Sequence, residues 1–76
     1  MSARLPRLRA SEILAALRCD GWEEVHRGGS HVQLRHSNKT GRVTVPFHSS
    51  RTIALGTLKS ILVQAGLTAA ELEKLL

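Results

Sequence analysis

Apolar residues recur along this chain with two different spacings, and the change from one spacing to the other constrains the possible folds. In the first quarter they are three or four positions apart, which is typical of one face of a helix: Ala10, Ile13, Leu14 and Leu17. In the middle they alternate with polar residues, as along a strand with one buried face. Helical spacing then returns with Leu58, Ile61, Leu62 and Ala65. Such an order predicts helices packed against one face of a sheet.

Residues that favour helix ends set the limits of the predicted helices. The first helix is predicted over Ala10 to Cys19, with Ser11 as its N-cap and Gly21 as the left-handed residue beyond its end. The second is predicted over Leu55 to Ala65. Gly66 can end this helix with Leu67 packing back, and Thr68 to Glu71 matches a capping box that opens a short terminal helix.

Turn-forming residues separate three predicted strands. These strands cover Trp22 to Arg27, Ser30 to His36 and Arg42 to Val45. Pro46 cannot donate a hydrogen bond to a neighbouring strand, so it should end the third strand or lie at its edge. In the second strand Val32 and Leu34 point to one side, and the other side receives His31, Gln33 and Arg35. We therefore expect one domain over residues 1–76, an α+β fold with a three-stranded antiparallel sheet and helices on one face.

Cysteine content and hydropathy indicate the cellular compartment. Cys19 is the single cysteine, so no internal disulfide can form, and we expect it to be a small core residue. No apolar run approaches the roughly 20 residues of a membrane span, and the N-terminal residues do not resemble a signal peptide. A cytoplasmic protein is the expected class.

Positive charge is concentrated in the middle of the chain. The formal net charge is +5, yet residues 25–70 contain no Asp or Glu at all. The basic residues of this segment are Arg27, Arg35, Lys39, Arg42, Arg51 and Lys59. A polyanion is the natural partner of such a surface, although positive charge can also serve solubility alone.

The predicted hairpin brings two histidines together. If Gly28 and Gly29 form a two-residue turn, Arg27 lies opposite Ser30 and His26 lies opposite His31. The two histidines then share the polar face that also carries Arg35. The same register puts Val25 opposite Val32 on the apolar face. Trp22, which we expect in the core, then has the wrong parity, so a bulge or an earlier strand start is needed.

Imidazole and guanidinium groups suffice for RNA cleavage, because RNA carries its own nucleophile in the 2′-hydroxyl. Histidine can take or give a proton near neutral pH, and arginine holds phosphate through two parallel hydrogen bonds. His26, His31 and His36 are five residues apart, a spacing that could suggest a metal site. Zinc sites usually need three or four well-placed ligands, and no Cys or acid joins the histidines, so we expect no metal and no cofactor.

Several short motifs resemble those of HicA toxins. Gly29-Ser30-His31 is similar to the family's G-S-H signature, and Val45-Pro46-Phe47-His48 is similar to its V-P-x-H segment. The segment from Gly56 to Leu67, GTLKSILVQAGL, resembles the family's helix motif. Gly21-Trp22 stands where the family usually has Gly-Phe. The motifs occur in the family's order and span the chain from about Arg9 to Leu76.

The resemblance implies a fold like that of double-stranded-RNA-binding domains and ribosome-independent cleavage of mRNA. It implies that His31, the histidine of G-S-H, is essential, and that a HicB antitoxin covers the active site. It assigns no role to His26 or His36.

We therefore expect an endoribonuclease in which His31 acts as general base or general acid. The candidate RNA-binding residues are Ser30, Arg27, Arg35, His48 and Lys59. Two other interpretations stay open at this stage. One is a non-catalytic RNA-binding module of the same fold, and the other is a basic protein whose partner is an acidic protein.

Overall fold

The computed structural model describes residues 5–47 and 51–76 and shows three helices and three strands. In chain order these elements are α1 (Ala10–Cys19), β1 (Trp22–Gly28), β2 (His31–His36), β3 (Val43–Pro46), α2 (Leu55–Ala65) and α3 (Ala69–Leu75). β2 is the middle strand and pairs antiparallel with both neighbours. The predicted α+β fold, with the element order of a double-stranded-RNA-binding-like domain, is confirmed.

A single apolar core lies between the helices and one face of the sheet. Its largest fully buried side chains are Trp22, Ile13, Leu17, Leu34, Leu58, Ile61, Leu72, Val32, Val43 and Val45. Each aliphatic side chain of this size stabilises the fold by roughly 1.5–3 kcal/mol when it leaves water. Trp22 is 1% exposed, so its predicted place in the core is confirmed.

The end of helix α2 and the start of α3 have the capping structures that we predicted from the sequence. Gly66 adopts a left-handed conformation with φ 67° and ψ 34°, and the Leu67 N–H donates to the Leu62 carbonyl at 2.9 Å. Two reciprocal bonds form the capping box: the Glu71 N–H donates to Thr68 Oγ1 at 3.1 Å, and the Thr68 N–H donates to Glu71 Oε1 at 2.9 Å. Within the described parts of the chain, no helix is long and apolar enough to cross a membrane.

Two predictions about α1 are wrong. Its N-cap is Arg9 instead of Ser11, and the Arg9 N–H is bonded to Glu12 Oε1 at 3.0 Å. The Glu12 carboxylate thus makes the bond from the third helical residue back to the N-cap backbone that is typical of a capping box. Cys19 is exposed because it lies on the solvent side of the last turn, off the apolar stripe that includes Leu17.

The predicted register of the β1–β2 hairpin is also wrong. The turn consists of Gly29 and Ser30, so Gly28 ends β1 and pairs with His31. Gly29 has a positive φ of 56°, which the first central position of a type II′ hairpin turn requires. Arg27 lies opposite Val32 instead of Ser30. The register differs from the prediction by two residues, which is one full period of a strand. Arg27 and His31 therefore stay on their predicted faces of the sheet.

A bulge at Val25 resolves the conflicting parities of β1. The pairing shifts between Glu24 and His26, which leaves Val25 as an extra residue, 42% exposed and away from the apolar face where we expected it. The extra residue reverses the parity of the segment before it, and Trp22 therefore faces the core. We predicted either a bulge or an earlier strand start to explain the parity of Trp22, and the structure shows the bulge.

Candidate nucleic-acid interface

The sheet face that the helices leave uncovered is lined by polar and basic residues. We call it the open face; its residues on the strands are Glu23, His26, His31, Gln33, Arg35, Thr44 and Pro46. They are exposed or half-buried, whereas Val32, Leu34, Val43 and Val45, which point to the other side, are fully buried. A flat face of this kind can accept an extended polar ligand.

His31 lies at the start of the middle strand, between Gly28 on β1 and Pro46 on β3. It is exposed, and within residues 5–47 and 51–76 its side-chain hydrogen-bonding contact is with the Ser30 hydroxyl, whose Oγ is 3.5 Å from Nδ1. That separation is too long for a strong hydrogen bond. The imidazole is therefore held by its strand and remains accessible to a ligand on the open face.

Among the described residues, His26 is the other imidazole on the open face. Its Cα pairs with that of Gln33, which places it diagonal to His31 across the two strands. The structure therefore brings both histidines to one face, although they are not directly opposite each other as we predicted. In residues 5–47 and 51–76, no three His, Cys, Asp or Glu side chains are grouped so that they could hold a metal ion.

Two guanidinium groups extend the open face beyond the histidines. Arg35 is exposed on β2, and Arg42 immediately precedes β3. Arg42 Nη1 reaches Gln33 Oε1 at 3.4 Å. Arg42 was not among the predicted site residues, but its parity with Thr44 along the strand could have indicated it.

One acid shares the open face with these cations. Glu23 is exposed on β1 with its Cα paired to that of Arg35. Without a bulge, the predicted register would turn Glu23 toward the helices. The bulge at Val25 brings it to the open face, so that face is less uniformly basic than the sequence indicated.

Arg27 lies on the helix side of the sheet, away from the open face. Its Nε donates to Glu24 Oε1 at 2.7 Å, and its guanidinium carbon lies 4.9 Å from the centre of the Phe47 ring. The hydrogen bond from Arg27 lowers the pKa of the Glu24 carboxyl, and the same bond raises the pKa of Arg27. The structure does not bring this predicted RNA-binding residue beside His31.

His36 is not part of the open face, and its ring is held by contacts with neighbouring parts of the fold. Its Nδ1 accepts the Asn38 N–H at 2.9 Å, and its Nε2 lies 2.7 Å from the Asp20 carbonyl oxygen. Because Nδ1 is an acceptor, Nε2 must carry the proton that reaches this carbonyl. The ring also meets Trp22 edge-on, with centroids 5.3 Å apart. His36 is thus a half-buried residue that ties the end of α1 to β2.

The remaining predicted residues lie apart from one another. Ser30 is half-buried in the hairpin turn, next to His31. Lys59 is exposed on α2, and this helix packs on the opposite side of the sheet from the open face. His48 lies outside the described residues.

A cleft of about 280 Å³ adjoins the open face at Pro46, the residue opposite His31. The described residues that line it are Pro46, Arg51, Thr52, Ile53, Ala54 and Thr57. Arg51 adds a cation here that was not among the predicted site residues.

Comparison with known proteins gives one family match. A family described as "HicA toxin of bacterial toxin-antitoxin" matches residues 10–67. The matched segment runs from the start of α1 to just beyond α2 and includes every strand. No curated protein matches the chain.

Proposed function

Because the chain belongs to the HicA toxin family and is thus a toxin of a bacterial toxin–antitoxin system, we propose that it is an endoribonuclease that cleaves mRNA in the cytoplasm. The observation that carries the proposal is the position of His31: an exposed imidazole on the middle strand, on a face that also presents Arg35 and Arg42. An RNA strand lying on this face can bring a ribose and its 3′-phosphate to the imidazole.

In the proposed reaction the RNA supplies the nucleophile. The 2′-oxygen attacks the adjacent phosphorus and loses its proton, the bond from phosphorus to the 5′-oxygen breaks, and that oxygen gains a proton. The products are a 2′,3′-cyclic phosphate and a 5′-hydroxyl. His31 acts as general base or general acid, a role that suits an imidazole near neutral pH.

The guanidinium groups hold the phosphate in this scheme. Arg35 and Arg42 are permanently charged, and their planar groups match the geometry of phosphate oxygens. They lie at the opposite end of β2 from His31, so they would bind phosphates further along the RNA. Binding there would position the RNA backbone so that a ribose and its 3′-phosphate reach His31.

Membership of the family implies an antitoxin partner. We propose that this partner is of the HicB type and inhibits by covering the open face, since any protein placed there blocks RNA from His31. Acidic side chains on the partner would complement Arg35 and Arg42.

The test is incubation of a defined mRNA transcript with the purified chain in excess EDTA. We expect discrete fragments with the wild type and intact RNA with His31→Ala, with both proteins folded by circular dichroism. RNA that is shifted on a native gel but uncut by the wild type would instead identify a non-catalytic RNA-binding module.

A further inference from the structure

The ring of His26 lies along its strand, over Gly28. A Cβ built on Gly28 would be 2.8 Å from His26 Nε2 and 3.6 Å from the two adjacent ring carbons. The imidazole therefore fills the space that a side chain at position 28 would need. Glycine at this position lets the ring lie there.

Position 28 is also the position directly opposite His31. Gly28 and His31 are a cross-strand pair, and Cβ atoms of such pairs are about 4.5–5.5 Å apart. Since the His26 ring occupies the place of a Gly28 side chain, it lies next to the Cβ of His31. Two imidazoles thus border one patch of the open face, although their residues are diagonal in the register.

We propose that His26 is a second catalytic residue, which transfers the proton complementary to the one transferred by His31. The inference rests on the proposed ribonuclease activity and extends it. One imidazole removes the proton of the 2′-hydroxyl as the bond from the 2′-oxygen to phosphorus forms. The other gives its proton to the 5′-oxygen as the phosphorus–oxygen bond breaks, so the pair of histidines neither gains nor loses a proton overall.

The other groups facing His26 are less suited to this role. Among the described residues, the charged or titratable groups on the open face are Glu23, His31, Arg35 and Arg42. Arginine does not deprotonate in proteins, and Glu23 lies at the far end of the strand, where its Cα pairs with that of Arg35. The described helices face the other side of the sheet. Among these residue types, histidine is the one that most often acts as a general acid or general base.

The direct test compares single-turnover cleavage of one RNA by the wild type, His26→Ala, His26→Gln and His31→Ala from about pH 5 to about pH 9. We expect each His26 variant to lose about 100-fold or more in rate. We also expect the bell-shaped pH profile of the wild type to lose one limb, which a purely structural role would not remove.

A second substrate assigns the two roles. In a 3′-(4-nitrophenyl) ribonucleotide phosphodiester the leaving group needs no protonation, so loss of the general acid matters little, whereas loss of the general base still slows the reaction. We expect this substrate to restore the rate of one histidine variant and not the other. If neither or both were restored, the division of the two proton transfers would be wrong.

Gly28 allows an independent test that leaves both histidines in place. The φ of Gly28 is not in the left-handed region, and the clashing atoms are the flexible end of a side chain, so Gly28→Ala should fold and displace only the His26 ring. We expect a loss of about ten- to 100-fold in the wild-type background. In the His26→Ala background, the same change should have no further effect.

Val25→Ala is the matched control, because Val25 is the exposed residue of the same bulge and lies outside the proposed site. It should cleave RNA as the wild type does. The inference is overturned if His31→Ala is inactive while His26→Ala keeps its rate within about twofold and an unchanged pH profile. If His31→Ala cleaves as fast as the wild type, the proposed function itself fails, and the role of His26 fails with it.

Discussion

Arg27 and Arg35 lie on neighbouring strands and have very different surroundings. The Arg27 guanidinium is bonded to Glu24 and stacked on Phe47, on the helix side of the sheet. The Arg35 guanidinium is exposed on the open face. Both residues were candidates for RNA binding in the sequence, because the ion pair and the aromatic contact that hold Arg27 are made through the fold and cannot be seen there.

Replacing Arg35 or Arg42 by alanine should therefore weaken RNA binding and its dependence on salt. Each lost phosphate contact should reduce the slope of log K against log salt concentration by about 0.7 for single-stranded RNA. Fluorescence anisotropy at several salt concentrations, with the inactive His31→Ala background to keep the RNA intact, measures this slope.

Arg27→Ala removes the same charge and is the matched control. Because Arg27 is held by Glu24 and Phe47, its loss should lower the thermal stability and leave the salt dependence of RNA binding unchanged. An equal reduction of the slope in Arg27→Ala and Arg35→Ala would contradict the assignment of the open face as the RNA-binding surface.

Gly21 has two reasons to be glycine. Its φ is 101°, where residues with a side chain are strained, and an added Cβ would be 2.7 Å from His36 Nε2. Gly21→Ala should lower the free energy of unfolding by about 1–3 kcal/mol. Urea denaturation measures the loss, and Gly56→Ala, in helix α2 with nothing within 4 Å of the added Cβ, should cause none. Similar losses in both variants would refute this explanation.

Among the elements, β1 was the hardest to predict from the sequence. Helices α1 and α2 have one clear apolar stripe each, so their limits were predicted correctly. In β1 the parities of Trp22 and Val25 conflict, and alternation cannot tell which residue is buried. The structure buries Trp22 because its side chain removes far more apolar surface from water than valine does. The bulge also changed the charge of the open face, because it moved the Glu23 carboxylate there.

The beginning of α3 depends on the ionised form of Glu71. The Thr68 N–H donates to the Glu71 carboxylate, and this bond lowers the pKa of the carboxyl in the folded chain. The folded state then binds fewer protons than the unfolded state in the acid range. The stability from the cap is therefore present above the ordinary glutamate pKa of about 4.3 and is lost as the pH falls through the lowered folded value.

Glu71→Gln should consequently flatten the loss of stability at acid pH. We expect the free energy of unfolding of this variant to fall less steeply than that of the wild type as the pH is lowered below about 4.3. Some slope should remain, because the Glu24 carboxyl also has a lowered pKa in the folded chain. Identical slopes in wild type and variant would rule out the capping carboxylate as a source of acid sensitivity.

In the molecule as a whole, one face of the sheet contributes to stability, and the other face is available to a ligand. The helices and the buried residues of the three strands form one core, and the alternate strand residues remain open. The strict alternation of β2 predicted this separation, including the position of His31 on the polar side. The contacts that determine the site in detail, such as the His26 ring over Gly28, depend on a turn and a bulge that the sequence alone left open.

The central claim is that the exposed imidazole of His31 carries out RNA cleavage on the open face. The most direct measurement is the single-turnover cleavage rate of one RNA by wild type and His31→Ala, at protein concentrations above the Kd measured for each. The account predicts a rate lower by about 100-fold or more in the variant, with unchanged RNA affinity and circular dichroism. A variant that cleaves within about twofold of the wild-type rate would contradict it.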